Sequence, residues 1–359
     1  MKKFLSSAVF AGLCLLSATP AQAAIELSQV AADANWVIYA DLNAIRSSVL
    51  GKDLMALLTK QQMDKTGGIL SLNVPKVLET IGSITAYGTC SSAGGSSESK
   101  DLEFEKAAMV VQGTEKLKKI VEAVLIEQSV EKPAEVIELK DFPYTAYGIN
   151  HKGKNGANDG QLIVAFPPEP VVLVSESKAQ ITKALDVFSG RSESLAKAAN
   201  PSALTQMVRE AGDVPLFGAS SVLPKARNST KTSRILQLAS GGLLAFGEKG
   251  ENTFARAMLL SSSEDTAGKL LKILQGLAAM VSLAESTDKQ LTEFLNSVTV
   301  EKHNEAVTLD ISYPSVRVSQ ILKTIQQAQA NKRQKARPES SKNDASDSSS
   351  SAKGSDKSE

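Results

Sequence analysis

Ser97…Lys100 and Ser175…Lys178 have Ser-x-x-Lys spacing, and with Lys65-Thr66-Gly67 they carry the residue types of a penicillin-binding acyl-transfer site. Their order is wrong for that chemistry, because the Lys-Thr-Gly element comes first. A Gly-x-Ser-x-Gly nucleophile elbow is absent from the sequence. A Ser-His-Asp relay would have to use His151 or His303, the two histidines of the chain. His151 falls at a hairpin tip and His303 beside a turn, where both are expected to be solvated. Neither reading assembles a nucleophile with its base.

Other chemistries fare no better. Zinc needs three or four His, Cys or carboxylate ligands on a rigid frame, and two isolated histidines with one mature cysteine do not supply them. The stretch Asn155 to Gly160 lacks the alternating Asp ligands and terminal Glu of a calcium loop. Gly94 to Lys100 has no Gly directly before its Lys and joins two expected strands, so it reads as a hairpin loop rather than a phosphate cradle. Asp41 and Asp53 show no spacing that demands acid–base work. Asn228-Ser229-Thr230 is a glycosylation sequon by pattern, expected to be idle in a bacterium. Cys90 remains alone once Cys14 leaves with the leader, so no intramolecular disulfide forms and the thiol is expected buried and inert. No catalytic, cofactor-binding or metal-ligating residue is assigned, and no cofactor. The chain is read as not an enzyme.

The leader fixes the compartment. Lys2 and Lys3 precede an apolar stretch from Phe4 to Leu16, followed by Ala21-Gln22-Ala23. That is a bacterial secretory signal over 1–23, too short for a membrane anchor, with the mature chain starting at Ala24. The protein is therefore expected in the periplasm or outside the cell, with no transmembrane segment after cleavage. The whole chain carries 40 basic and 39 acidic side chains. Loss of Lys2 and Lys3 leaves a net charge of about −1, which excludes a nucleic-acid footprint. Aromatic residues make up 4% of the chain, too few for a glycan platform. The single Trp36 is in phase with Ile38, Ala40 and Leu42, which reads as core.

The elements fall into two similar halves. Trp36 to Asp41 matches Val214 to Ala219. Ile84-Thr85-Ala86-Tyr87-Gly88 matches Leu243-Leu244-Ala245-Phe246-Gly247, and Phe104 to Ala107 matches Phe254 to Ala257. Each opening strand leads into helical spacing: Ile45 to Leu58 and Val74 to Ile81 in the first copy, a shorter stretch around Ile235 to Leu238 in the second. A long helix follows each Phe-led strand, buried through Leu117, Ile120, Val121, Val124 and Leu125 in one and Ala267, Leu270, Leu271, Leu274 and Val281 in the other. Tyr144 to Asn150 with Gln161 to Phe166, and Val298 to Lys302 with Ala306 to Ser312, read as matching hairpins. Pro170 to Ser175 is an extra strand of the first copy. Closing helices carry Ile181, Ala184, Leu185 and Phe188, and Val318, Ile321, Leu322 and Ile325. Ser192 to Ala211 is expected as a bridging helix. Lys269 to Ala284, apolar on nearly every side, is expected at the interface between copies.

The expected architecture is α+β: a duplicated unit of antiparallel sheet with helices on one face, in ferredoxin-like βαββαβ order plus an extra strand and helix. The units span 24–200 and 201–330. Residues 331–359, rich in Ser, Asp and Lys without apolar period, are expected as a disordered polar tail. The chain also resembles a group of uncharacterised secreted proteins from planctomycete- and verrucomicrobia-type bacteria. The resemblance rests on Ala34 to Leu42, Leu50-Gly51-Lys52, Gly113 to Leu117 and Val171 to Ser175. It implies compartment and architecture, and brings no activity or site residues.

The resulting expectation is an exported, non-enzymatic binding or interaction protein of the envelope or extracellular space, with a protein partner. That partner is another envelope protein or a host surface protein. The alternatives are a secreted hydrolase with a dispersed site, and a carrier holding a small apolar ligand between sheet and helices.

Overall fold

Strand β1 (Trp36–Asp41) places Val37 and Tyr39 in one core and leaves Ile38 between them 51% exposed. The period of two thus separates a covered face from an open one within a single strand. β1 pairs antiparallel with β2 (Ile81–Ser92) on one side and β8 (Leu216–Ser220) on the other. This is a computed structural model. It describes residues 25–53, 55–56, 74–92, 102–132, 135–152, 158–199, 202–223, 235, 237–283, 293–294 and 296–324. The leader, the tail 331–359, Lys65-Thr66-Gly67, Ser97…Lys100, Gly94 to Lys100 and the sequon lie outside them.

The remaining strands are β3 (Leu102–Gly113), β4 (Val136–Glu138), β5 (Ala146–Lys152), β6 (Asn158–Ala165), β7 (Val171–Ser175), β9 (Ala239–Lys249), β10 (Asn252–Ser261), β11 (Val298–His303) and β12 (Ala306–Pro314). They form one twelve-stranded sheet in the order β11-β12-β10-β9-β8-β1-β2-β3-β7-β6-β5-β4. Every neighbouring pair is antiparallel. Two hairpins are set by turn residues with positive φ: Gly250 (63°) between β9 and β10, and Asn304 (52°) between β11 and β12. The ladder runs without a break across the expected division between 24–200 and 201–330, through β1 and β8.

The ferredoxin-like order does not describe this sheet. In a split βαβ unit the strands flanking the helix are parallel, with another strand between them. Here β1 and β2 are direct antiparallel neighbours, and so are β8 and β9. Each half opens as a three-stranded meander, β1-β2-β3 and β8-β9-β10. The hairpin match also shifts by one strand. β12 lies beside β10 as β7 lies beside β3, so β11–β12 takes the place of β6–β7, and β4 and β5 are the additions of the first half.

Helices cover both faces, not one. Helices α1 (Leu42–Ser47), α2 (Val74–Thr80) and α3 (Glu115–Glu131) serve one face in the first half. That core holds Leu117, Leu125, Val164 and Val172, with Leu42, Val77 and Leu78 packed against it. Helices α4 (Lys178–Phe188) and α5 (Ala203–Ala211) serve the opposite face. Their core joins Tyr39, Val110, Leu173, Ile181, Leu185, Leu204, Met207, Phe217 and Leu243. Val171 and Leu173 point to one core and Val172 to the other, because both faces of β7 are buried. Helix α6 (Glu264–Leu283) packs with Leu270 and Ala267 on Val307 and Leu259 of its own half. It is not the interface between halves. Its outer side leaves Met280 exposed. Among the described residues the expected bridging helix is helical over Ala203–Ala211, where Ser202 caps it by accepting from the Thr205 amide. Residues 315–324 form helix α7, after Pro314.

Candidate functional site

Among the described residues, those singled out for chemistry do not converge. Ser175 is buried and its hydroxyl donates to the Ala107 carbonyl, while Lys178 turns away to Asp141 at 2.8 Å. That lysine holds the Asp141 carboxyl below its usual range. His303 Nε2 lies 3.3 Å from the Glu301 carboxylate, with both side chains largely exposed. This is a solvated pair rather than a buried acid–His–Ser relay. His151 lies in β5, in the hairpin with β6. Cys90 is buried, and that burial pushes its thiol up, away from the reactive thiolate. Asp41 is spent on structure, its carboxylate accepting from the Ala44 amide as the N-cap of α1.

The feature that stands out is the sheet face carrying Ile38. Two cross-strand rows run over it. One reads Ala86, Ile38, Gly218, Leu244, Ala257 across β2, β1, β8, β9 and β10. The next reads Ile84, Ala40, Leu216, Phe246, Ala255. Neither row holds a charged or polar side chain. Ile38, Leu216, Leu244 and Phe246 are all exposed, Leu244 by 68%. The cause is uneven cover: α1, α2 and α3 lie over the first half of this face and α6 over β10, β11 and β12. The strands between them lack an equivalent roof among the described residues.

The second row ends in a cavity of about 390 Å3. Its floor is Leu216 and Phe246 from the sheet, and its walls include Ala44, Ile45 and Leu50 from the segment after β1 and Leu322 from α7. That segment is a strap held at two points. The Glu248 carboxylate of β9 accepts from the Val49 and Leu50 amides, each at 2.8 Å. Asp53 accepts from the Ser319 hydroxyl at 2.5 Å and pairs with Lys323 at 3.0 Å. These two contacts on α7 hold the Asp53 carboxyl below its usual range. Gly51 is required inside the strap, because a Cβ there would sit 1.7 Å from the Ile45 carbonyl oxygen.

The opposite face of the second half carries a polar groove. Arg256 grips Asp310 through two hydrogen bonds, Nε to Oδ1 at 2.7 Å and Nη2 to Oδ2 at 3.2 Å. Cavities of about 670 and 680 Å3 flank that pair. The hydrogen bond to Asp310 raises the Arg256 pKa. The groove gathers Glu210, Glu264, Glu301 and Glu305 but no group of His, Cys, Asp or Glu able to hold a metal among the described residues.

No family model and no curated protein matches the chain. The chain is similar to solved structures of the Treponema protein TP0453. Crystal form I aligns with TM-score 0.40 at 9% identity, covering 84% of this chain and 98% of that one. Crystal form IV gives 0.41, 8%, 84% and 97%, and crystal form III gives 0.38, 7%, 84% and 99%. So low a likeness carries no weight for function. Among the described residues no helix is long and apolar enough to cross a membrane.

The phase of Trp36 with Ile38 reads as core, and the structure corrects it: Trp36 is buried, but Ile38 on the same face is exposed. Ile38 and Leu244 are readable as strand residues, but nothing in the chain says which part of a strand face stays uncovered. The strap clasp pairs Glu248 with residues nearly two hundred positions earlier, beyond any local signal.

Proposed function

We propose that the protein is an exported, non-enzymatic binding protein of the bacterial envelope or extracellular space, and that it meets a protein partner through the apolar rows around Ile38 and Leu244. The observation that carries this reading is the pair of cross-strand rows without a charge, four of whose large side chains are exposed. Contiguous apolar surface on a folded domain is costly to leave in water and marks contact sites. Export rests on Lys2, Lys3, the apolar stretch behind them and the Ala-Gln-Ala site. The two halves are read as copies of one unit, supported by the paired meanders and the matching places of β7 and β12.

The test is crosslinking and affinity recovery from the envelope and culture fluid of the native bacterium, comparing the full chain with Leu244→Glu. A specific protein recovered by the former and lost with the latter is the expected result. Recovery of the same protein by both, or of none by either, defeats the reading.

A further inference from the structure

We propose that the cavity beneath the strap binds one small, uncharged, apolar molecule. The proposal shares the sheet face of the partner reading but does not depend on it. Three observations carry it. The first is shape: a concave space of about 390 Å3 lies within the range that holds small ligands, whereas the neighbouring row through Ile38 and Leu244 is open. The second is chemistry. Ala44, Ile45, Leu50, Leu216, Phe246 and Leu322 present aliphatic and aromatic carbon from three separate elements, the strap, the sheet and α7.

The third observation sets the charge of the ligand. Glu248 stands at the cavity, and its two oxygens already accept from Val49 and Leu50. The hydroxyls of Ser47 and Ser48 are spent on the Ala44 and Ile45 carbonyls. Among the described residues the lining contains no cation to receive an anionic head group, and it holds a carboxylate that repels one. An anion would lose its hydration without a partner. An uncharged ring or branched chain loses nothing polar and removes Leu216 and Phe246 from water.

The experiment is a fluorescence titration of the full chain with N-phenylnaphthylamine, an uncharged apolar dye, beside the anionic anilinonaphthalene sulfonate. Saturable binding of one uncharged dye per chain, with the anionic dye at least about tenfold weaker, is expected. Leu216→Trp and Ala44→Phe both fill the cavity and are each expected to weaken the uncharged dye by at least about tenfold. Thermal melts of both variants separate a filled cavity from a lost fold. Leu244→Glu, on the open row, is expected to leave dye binding within about twofold while removing the protein partner. Undiminished binding in two folded, filled variants overturns the proposal. So does equal affinity for the anionic dye, absence of saturation, or loss of dye binding in Leu244→Glu alone.

Discussion

At the scale of single residues, the centre of the sheet depends on two side chains of β1's approach. Asn35 behaves as a clip. Its amide group donates to the Cys90 carbonyl at 2.7 Å and accepts from the Cys90 amide at 2.8 Å, while its backbone oxygen accepts from the Ser221 amide. One residue thus joins strands from both halves. Trp36 next to it lies across Gly88, and a Cβ at Gly88 would fall 3.0 Å from the indole ring. Gly88→Ala therefore forces the ring to move or the β1–β2 ladder to open. The expected cost is about 1–3 kcal/mol, as for other overpacked sites. Because Trp36 is the only tryptophan, its emission reports the change directly. A shifted emission maximum with a lower melting temperature is the expected outcome, and an unchanged spectrum and melt would contradict the packing. The same glycine exposes an error in the apparent repeat. Tyr87 and Phe246 are matched by sequence, yet Tyr87 is 2% exposed in the core and Phe246 is 37% exposed on the other face. The match is one residue out of phase, and a slip of one turns every side chain to the opposite face.

At the scale of elements, the strap after β1 is the connection that ties the first half to α7. Its clasp has a definite acid dependence. The folded Asp53 carboxyl titrates below its ordinary value of 3.8, through the Ser319 hydrogen bond first and Lys323 second. A lowered folded-state pKa contributes stability above the unfolded value, and that contribution is lost as pH falls through the folded one. Acid below about pH 4 should therefore release the strap, and Asp53→Asn should remove that acid-dependent step. Amide exchange of residues 49–53, followed from neutral pH downward, checks this. Early loss of protection in the wild type below that pH, with protection already weaker at neutral pH in Asp53→Asn, is expected. Caps elsewhere divide into made and unmade. Ser263 accepts from the Thr266 amide at the start of α6, whereas Ser177 and Thr114 sit at N-cap positions without a side-chain bond. Each of these polar residues immediately precedes the helix that it opens.

At the scale of the whole molecule, the seam between β1 and β8 decides whether the halves behave as one body. Tyr39 and Phe217 stack across it with centroids 5.6 Å apart, inside a core shared by residues from Val30 to Met258. Phe217→Ala is expected to cost about 3–5 kcal/mol and to lower a single unfolding transition, rather than splitting it in two. Calorimetry and far-ultraviolet circular dichroism on the full chain measure it, and two separate transitions in the wild type would mean that the halves fold independently. Much of this molecule was legible in its letters. The strands around Ile38, Leu173 and Val307, the helices through Leu125, Leu185 and Leu270, and both closing hairpins follow from apolar periods of two and 3.6, which are local properties of the chain. An antiparallel α+β protein follows from them. The partner of each strand does not. β1 chooses β2 and β8 by hydrogen bonds between residues tens to almost two hundred positions apart, and the side left bare is whatever no helix reaches. So the apolar rows, the strap clasped by Glu248 and Asp53, and the cavity beneath it belong to the tertiary structure alone, because exposure is fixed by what packs opposite a side chain and not by the side chain itself.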